Sequence, residues 1–476
     1  MKPEKQHRPA GIGEVLHVAV PLIISMGSFT FMQFCDRMFL AKFSAISIQA
    51  ALPAGILAFT LCCGFMELAG YANTFVAQYH GSGDRRGCSR ATVQAVLLAV
   101  LSWPLILLLI PLGRWMLMVA GHAPEVLAQE LSYFTILMAG GVTIPLGVAA
   151  ATFFTGRGDT RTTMMANIVA NVVNVALDYA LIFGAWGFPR MGIRGAAIAT
   201  VISGFIVPII LMSLFFSGRA NRDYQTRASF GIDMALLRRM VRFGLPASVH
   251  LTLSVFSFTV FILLTGRLGA TALAASNMAF SINMFAFMPL IGLGITANTL
   301  VGKYQGRNES ELAERVGWTT LKTAMTYSAL IGLTYVLLPE FYYSFFTRNA
   351  PGAIPLEEVL PMGRVMLRLM ALWGFMDAAN VILAGGLKGA GDTRFVMIYS
   401  LILSWLFFVL GEVMIVLVFG GTILQAWGWL SVHLMLLAVG YAWRFKSGRW
   451  KSIDLLGRRI VLPAAHVAPE AMVVGE

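Results

Sequence analysis

Four polar residues share one stripe of an otherwise apolar segment. Asn167, Asn171, Asn174 and Asp178 stand at i, i+4, i+7 and i+11, a spacing that places them along one helix face. Asp36 lies in the outer half of a second apolar run, with Gln33 one turn back, and Thr200 lies in the outer part of a third. Brought together, these faces make a pocket of two carboxylates, an amide carbonyl and a hydroxyl. Hard oxygen ligands of this kind suit a hard cation, which here means an alkali ion such as sodium. Two neighbouring carboxylates also favour a bound proton, because one proton relieves their repulsion. The chemistry expected of Asp36, Asn174, Asp178 and Thr200 is therefore cation or proton binding. A sodium ion or a proton is the coupling ligand, and no organic cofactor is implied. The competing role for the asparagines is to hold helices together through interhelical amide bonds.

The elements that carry these residues are membrane spans. Apolar residues make up 58% of the 476-residue chain and charged residues only 12%, against about 25% charged in a typical soluble chain. Mean hydropathy is +0.75. Soluble, disordered, collagen-like and disulfide-scaffold classes fail on these figures. A bilayer core needs about 20 apolar residues per helix. Twelve runs qualify, near 15–41, 48–79, 91–112, 127–155, 163–185, 193–217, 236–266, 271–302, 316–338, 361–387, 395–419 and 422–445. The first is too long for a signal peptide, whose apolar region runs about 7–15 residues. The second and eighth are long enough to tilt or to project past the bilayer. Cys35, Cys62, Cys63 and Cys88 form no CxxC pair and read as apolar filler or free thiols.

The basic excess reports orientation. The net charge is +12. Loops on one side, with both chain ends, hold 25 Lys or Arg, and the opposite loops hold eight. By the positive-inside rule both termini are cytoplasmic. The chain is expected in the plasma (inner) membrane of a bacterium or archaeon.

The chain also repeats itself. Pro21 and Pro246 open corresponding runs at an offset of 225, which also aligns the loops at Tyr79 and Tyr304. Gly158-Asp159-Thr160-Arg161 recurs verbatim as Gly391-Asp392-Thr393-Arg394. Six helices return each half to its starting side, so the halves are parallel repeats about an axis along the membrane normal. The expected division is an N-terminal lobe over 1–217, a polar linker over 218–235, a C-terminal lobe over 236–445 and a cytoplasmic tail over 446–476. The basic start of the tail suits a membrane surface.

These residues resemble the multidrug and toxic compound extrusion (MATE) family. The carriers of the resemblance are Cys35-Asp36, the loop from Gln78 to Asp84, the segment 156–160, the run from Asn174 to Gly184, and Gly192 to Thr200. The resemblance covers about 12–445. It implies an all-α polytopic fold of twelve transmembrane helices in two six-helix repeats around a V-shaped cleft, with export driven by sodium or proton entry. It implies that Asp36, Asn174, Asp178 and Thr200 match the first-lobe ion site of the archaeal and DinF-type branch. Asp377 resembles the second-lobe acid of the NorM-type branch, where it pairs with a glutamate on the seventh helix. Here no Asp or Glu occurs from 234 to 308, so that partner is missing.

Other ionisable residues fall within spans, where a charge costs about 2.5–3.5 kcal/mol on insertion scales. Glu67 and Glu412 are expected either to line the cleft or to be protonated and packed. Arg37 points about 100° from Asp36 on a helix and should snorkel outward. His250 and His433 are isolated within spans and read chiefly as helix-interface residues. The 26 methionines and 33 phenylalanines read chiefly as lipid-facing or core residues, with an adaptable drug surface as the alternative.

The expected function is secondary antiport that exports lipophilic, cationic small molecules. The expected partners are that substrate and membrane lipid, with no nucleic acid, and the chain is expected to act as a monomer. A flippase for lipid-linked saccharides would need several cations facing the cleft, and few intramembrane cations occur. A membrane-embedded enzyme would need grouped histidines or cysteines, and the histidines are scattered. An ATP-driven pump would need a G-x-x-x-x-G-K-[ST] loop, which is absent from the sequence.

Overall fold

A computed structural model describes residues 8–268, 270–347 and 356–457. Lys2, Lys5, His7, Arg348 and the distal tail 458–476 lie outside the described residues.

In hydrocarbon every backbone N–H and C=O must be satisfied within its own segment, which leaves helices as the spanning form for such sequences. The helices are α1 (Ile12–Phe43), α2 (Ala45–Gly81), α3 (Arg85–Leu108), α4 (Pro124–Thr155), α5 (Thr160–Phe183) and α6 (Ile193–Phe215). The second half holds α7 (Met234–Thr265), α8 (Ala270–Gly306), α9 (Ser310–Leu337), α10 (Leu356–Ala390), α11 (Thr393–Val418) and α12 (Ile423–Lys446). Eleven are long and apolar enough to cross a membrane. The remaining one, α9, is 28 residues long but carries Glu311, Glu314, Arg315, Lys322 and a series of threonines. It packs on α8 and α10 and completes the second six.

Polar side chains start several helices. Asp84 Oδ1 accepts the Gly87 amide at 2.7 Å to begin α3, and Asp233 Oδ1 accepts the Leu236 amide at 3.0 Å to begin α7. Such N-caps satisfy amides that the helix leaves free. The verbatim Gly-Asp-Thr-Arg repeats diverge here. Asp159 caps α5, whereas Asp392 accepts from Arg444 Nε at 2.6 Å. Both preceding glycines, Gly158 and Gly391, have positive φ, the region that only glycine enters without strain.

The first lobe packs α1 on α5, α5 on α6, and α2 on α4. The second packs α7 on α11, and α8, α9 and α12 on α10. Between lobes, α2 crosses α8, α1 packs on α8, and α2 packs on α7. Equivalent residues of the two repeats meet at the central crossing. Asn73 Nδ2 donates to Asn298 Oδ1 at 3.0 Å, and these two residues are 225 apart. A Cβ on Gly81 would fall 1.9 Å from the Lys303 carbonyl oxygen, and one on Gly306 would fall 2.0 Å from that of Gln78. Gly81 and Gly306 are equivalent, as are Gln78 and Lys303. The pseudo-two-fold axis therefore runs through a backbone-to-backbone contact that tolerates no side chain.

Further ties surround this crossing. Glu14 takes Lys303 Nζ at 2.9 Å and the Tyr304 hydroxyl at 2.7 Å, and Glu67 takes Lys388 Nζ at 2.8 Å. Gln78 Nε2 donates to the Gly389 carbonyl at 3.0 Å. All these bonds fall in the helix halves nearest the face that carries both ends of the described chain. The lobes form a V closed at that basic face.

Two peripheral segments lie across the basic face. In the linker, the Tyr224 and Gly231 carbonyls accept from Ser89 and Gln94 of α3 at 2.8 and 2.7 Å. The start of the tail is held in protein rather than lying on a membrane surface. Trp450 is fully buried in the second-lobe core, and Leu455 and Leu456 are buried in the first-lobe core. The hydrophobic effect drives this docking, because three large apolar side chains leave water.

Gly81→Ala and Gly306→Ala should each lower stability by about 1–3 kcal/mol, the usual cost of overpacking. Thermal unfolding in detergent measures this. Each variant should also make a cysteine placed in the α2–α8 crossing more reactive, and unchanged reactivity would count against the contact as described.

Candidate functional site

The stripe on α5 does two different things. Asn167 Nδ2 donates to Ser25 Oγ at 2.9 Å, and Asn171 Nδ2 donates to Ser28 Oγ at 2.8 Å. Both bonds join α5 to α1, which is the helix-binding role. Further along the stripe this stops. Asn174 is 1% exposed and Asp178 is fully buried. The amide nitrogen and oxygen of Asn174 and both carboxylate oxygens of Asp178 have no hydrogen-bond partner.

Asp36 reaches the same place from α1. It is buried, and its Oδ1 also lacks a partner. It lies within the electrostatic reach of Asp178, and the ring of Tyr133 on α4 lies within reach of both. Cys35, next in chain, faces Asp178 as well. Arg37 is exposed but lies within the electrostatic reach of Asp36 and Tyr133. Thr200 on α6 donates its hydroxyl to Ala196 O at 3.0 Å, which leaves its lone pairs free. It is partly buried, on a helix that packs against α5.

Leaving a buried polar group without a partner costs about 1–3 kcal/mol, and more if it is charged. Here five such atoms occur on three residues of one lobe. The donor set is carboxylate, carboxylate and amide carbonyl, with a hydroxyl on the adjoining helix. These groups fit an oxygen-seeking monovalent cation or a proton shared by the carboxyls. Tyr133 was not legible as a neighbour of this pocket, since it lies almost a hundred residues from Asp36 and its helix shows no polar stripe.

The remaining acids are elsewhere. Glu67 is paired with Lys388 across the lobes and is partly buried. Glu412 is fully buried in the second lobe, with both oxygens unpartnered. A further span acid, Glu130 on α4, is fully buried, with His122 Nδ1 2.8 Å from its Oε1 but no hydrogen bond to either carboxylate oxygen; its place inside an apolar run was the signal for it. Asp377 lines a small cavity of about 20 Å³ formed by α8, α9 and α10. Its polar companions there are Asn283, Tyr327, Ser328 and Tyr335, and α7 contributes nothing. The Ser328 and Tyr335 hydroxyls have no partner. His250 Nε2 lies 3.5 Å from the Tyr441 hydroxyl, and His433 stacks on Phe408.

The two kinds of asparagine should separate on mutation. Asn167→Ala and Asn171→Ala each remove a bond and should cost about 0.5–1.5 kcal/mol. Asn174→Ala removes only an unsatisfied amide and should leave stability unchanged or raise it. Unfolding midpoints of the three variants check this, and a loss at Asn174 equal to the others would reveal a partner.

The comparisons with known proteins agree with this architecture. The MatE family model matches residues 21–180 and 246–413, one copy per lobe, each beginning at the equivalent proline. A "Probable multidrug resistance protein NorM" of Thermotoga maritima is 26% identical over 398 residues, covering 82% of each chain. The "Multidrug resistance protein PmpM" of Pseudomonas aeruginosa is 28% identical over 404 residues, 83% of this chain and 82% of its own. Among solved structures, the outward-facing form of a multidrug resistance MATE family transporter of the MOP superfamily superposes with a TM-score of 0.81 at 18% identity. It covers 94% of this chain and 100% of that one. A eukaryotic MATE transporter gives 0.82 at 19% identity, covering 92% and 96%. Two six-helix lobes, closed through matching residues and matched twice by one family model, show that the chain belongs to the MatE family of transporters.

Proposed function

We propose that this protein is a secondary antiporter that exports small molecules, lipophilic and cationic in character, in exchange for sodium ions or protons. The observation that carries the reading is the set of buried, unpartnered polar atoms on Asp36, Asn174 and Asp178. Such atoms are stabilised by a ligand that the protein itself does not supply. The names of the relatives support multidrug export as the direction of use.

In this reading the basic face is cytoplasmic and the protein sits in the cell's inner membrane. The cleft is shut on the cytoplasmic side by the α2–α8 crossing and by the Glu14–Lys303 and Glu67–Lys388 pairs. A cation enters from outside and settles between α1 and α5, with Thr200 of α6 beside it. Binding there stabilises one arrangement of α1 against α5. A ligand shifts a two-state equilibrium only by its differential affinity for the two states. The ion site therefore drives export by being well formed in one state and open in the other. Substrate and cation compete through that equilibrium. In the second lobe, Asp377 with Asn283, Ser328 and Tyr335 is an additional coupling group, without a carboxylate partner on α7.

The test is transport in proteoliposomes under separately imposed sodium and proton gradients, with a panel of lipophilic cations. Asp36→Asn and Asp178→Asn should each abolish the response to the driving gradient, with at least a tenfold loss (about 1.4 kcal/mol) of coupled efflux. Substrate binding should persist in both. Ion dependence unchanged in both variants would remove the proposal. Asp377→Asn should alter the ion-to-substrate ratio if the second lobe takes part, and leave it intact otherwise.

A further inference from the structure

The repeat can be followed residue by residue into the second lobe, to the place where the pocket of Asp36 and Asp178 would recur. At the offset of 225, Asp36 becomes Phe261, and both are buried. On α11 the match starts at 233, with Thr393 in place of Thr160. Part of α11 is wound as a π-helix, over Ile402–Val409 and again over Met414–Val418. Such winding inserts residues without breaking the helix, so the register moves on by one. The buried face then places Phe408 at Asn174 and Glu412 at Asp178. On α12 the buried pattern follows α6 at an offset of 230, which places His433 at Ser203, one turn from the Thr200 level.

The second lobe thus keeps one carboxyl of the first-lobe pocket and replaces its other acid and its amide by phenyl rings. Phe261 and Phe408 lie 5.8 Å apart, and Phe408 stacks on the His433 ring at 4.7 Å and 16°. Glu412 is fully buried, and neither of its oxygens has a partner. His433 is 4% exposed, and its Nδ1 has no partner. Helices α7 and α12 pack against the Glu412 turn. Among the described residues of those helices and of α11, the titratable side chains besides His433 lie elsewhere. His250 is at the Tyr441 hydroxyl, Tyr399 is toward the basic face, and the arginines and Lys446 are at helix ends. Of these groups, His433 stacks on Phe408, one turn before Glu412 on α11.

A sodium ion needs several oxygen ligands, and this copy offers a single carboxyl among rings. A proton needs one. A fully buried carboxylate with no partner and no cation is strongly disfavoured, whereas the neutral acid is not. We infer that Glu412 is a proton-binding site of the second lobe, the counterpart by internal symmetry of the Asp36–Asp178 pocket, with His433 about one turn away on the seam. The π-helical turns on either side give it a purpose in the fold. The first of them, Ile402–Val409, brings Glu412 onto the buried face, where an unbroken α-helix at offset 233 would place Gly411. The site goes beyond the proposed antiport reading and does not depend on Asp36 or Asp178 carrying an ion.

Infrared difference spectroscopy between acid and alkaline pH tests this on the purified full chain. It reads the C=O stretch of protonated carboxylic acids directly. In an Asp36→Asn, Asp178→Asn, Asp377→Asn background a titrating carboxylic band should remain. Glu412→Gln should delete it, and His433→Phe, which preserves the ring stack, should move its titration midpoint. Sodium should leave the band unchanged. In otherwise unaltered protein, Glu412→Gln should lower the number of protons exchanged per substrate in proteoliposomes. A spectrum insensitive to Glu412→Gln, a Glu412 band that never titrates, or a band shifted by sodium would each overturn the inference. Because the triple variant lacks the first-lobe pocket, failure of that pocket and failure of this site give different results.

Discussion

Lipid offers no hydrogen bonds, and this constraint organises the whole molecule. It forces the chain into helices whose backbones satisfy themselves, and it makes every buried side-chain polar atom a matter of consequence. Many such atoms here are satisfied within their own helix turn or between helices. Asn167 and Asn171 meet serines of α1, and Asn73 meets Asn298. Against that background, Glu130, Asn174, Asp178 and Glu412 each hold two buried polar atoms without a hydrogen-bond partner.

The second organising feature is a crossing of two backbones. Gly81 and Gly306 bring α2 and α8 so close that any side chain would collide. Small residues allow such close approach where no hydrophobic driving force exists between helices in lipid. The contact closes one end of the cleft and fixes the axis that relates the lobes. The ion pairs around it are weaker determinants, since each is partly exposed.

The duplication produced one scaffold and two chemistries. In the first lobe the inward faces of α1 and α5 carry oxygens. In the second the corresponding faces carry phenyl rings around one carboxyl. The difference arises from side-chain identity and from the π-helical stretch Ile402–Val409 in α11, which moves the register of the buried face by a residue. A backbone deviation of that kind decides which side chain is inside, so it has the effect of a substitution at every later position.

Much of this was written in the sequence, because membrane insertion acts on local composition. Span number, the basic face and the 225-residue repeat depend on hydropathy and charge along the chain, which need no partner to be read. The stripe from Asn167 to Asp178 was legible for the same reason, as a helical period. The division of that stripe was not. Whether an asparagine binds a helix or waits for a ligand depends on what stands opposite, and only the packing of α1 on α5 places serines before Asn167 and Asn171 and none before Asn174. The ion pair of Glu67 with Lys388, the cavity at Asp377 and the burial of Glu412 were likewise settled by tertiary contacts between helices far apart in the chain. Sequence determined which groups are costly in a membrane; the folded structure decided which of those costs are met by neighbours and which are left unmet.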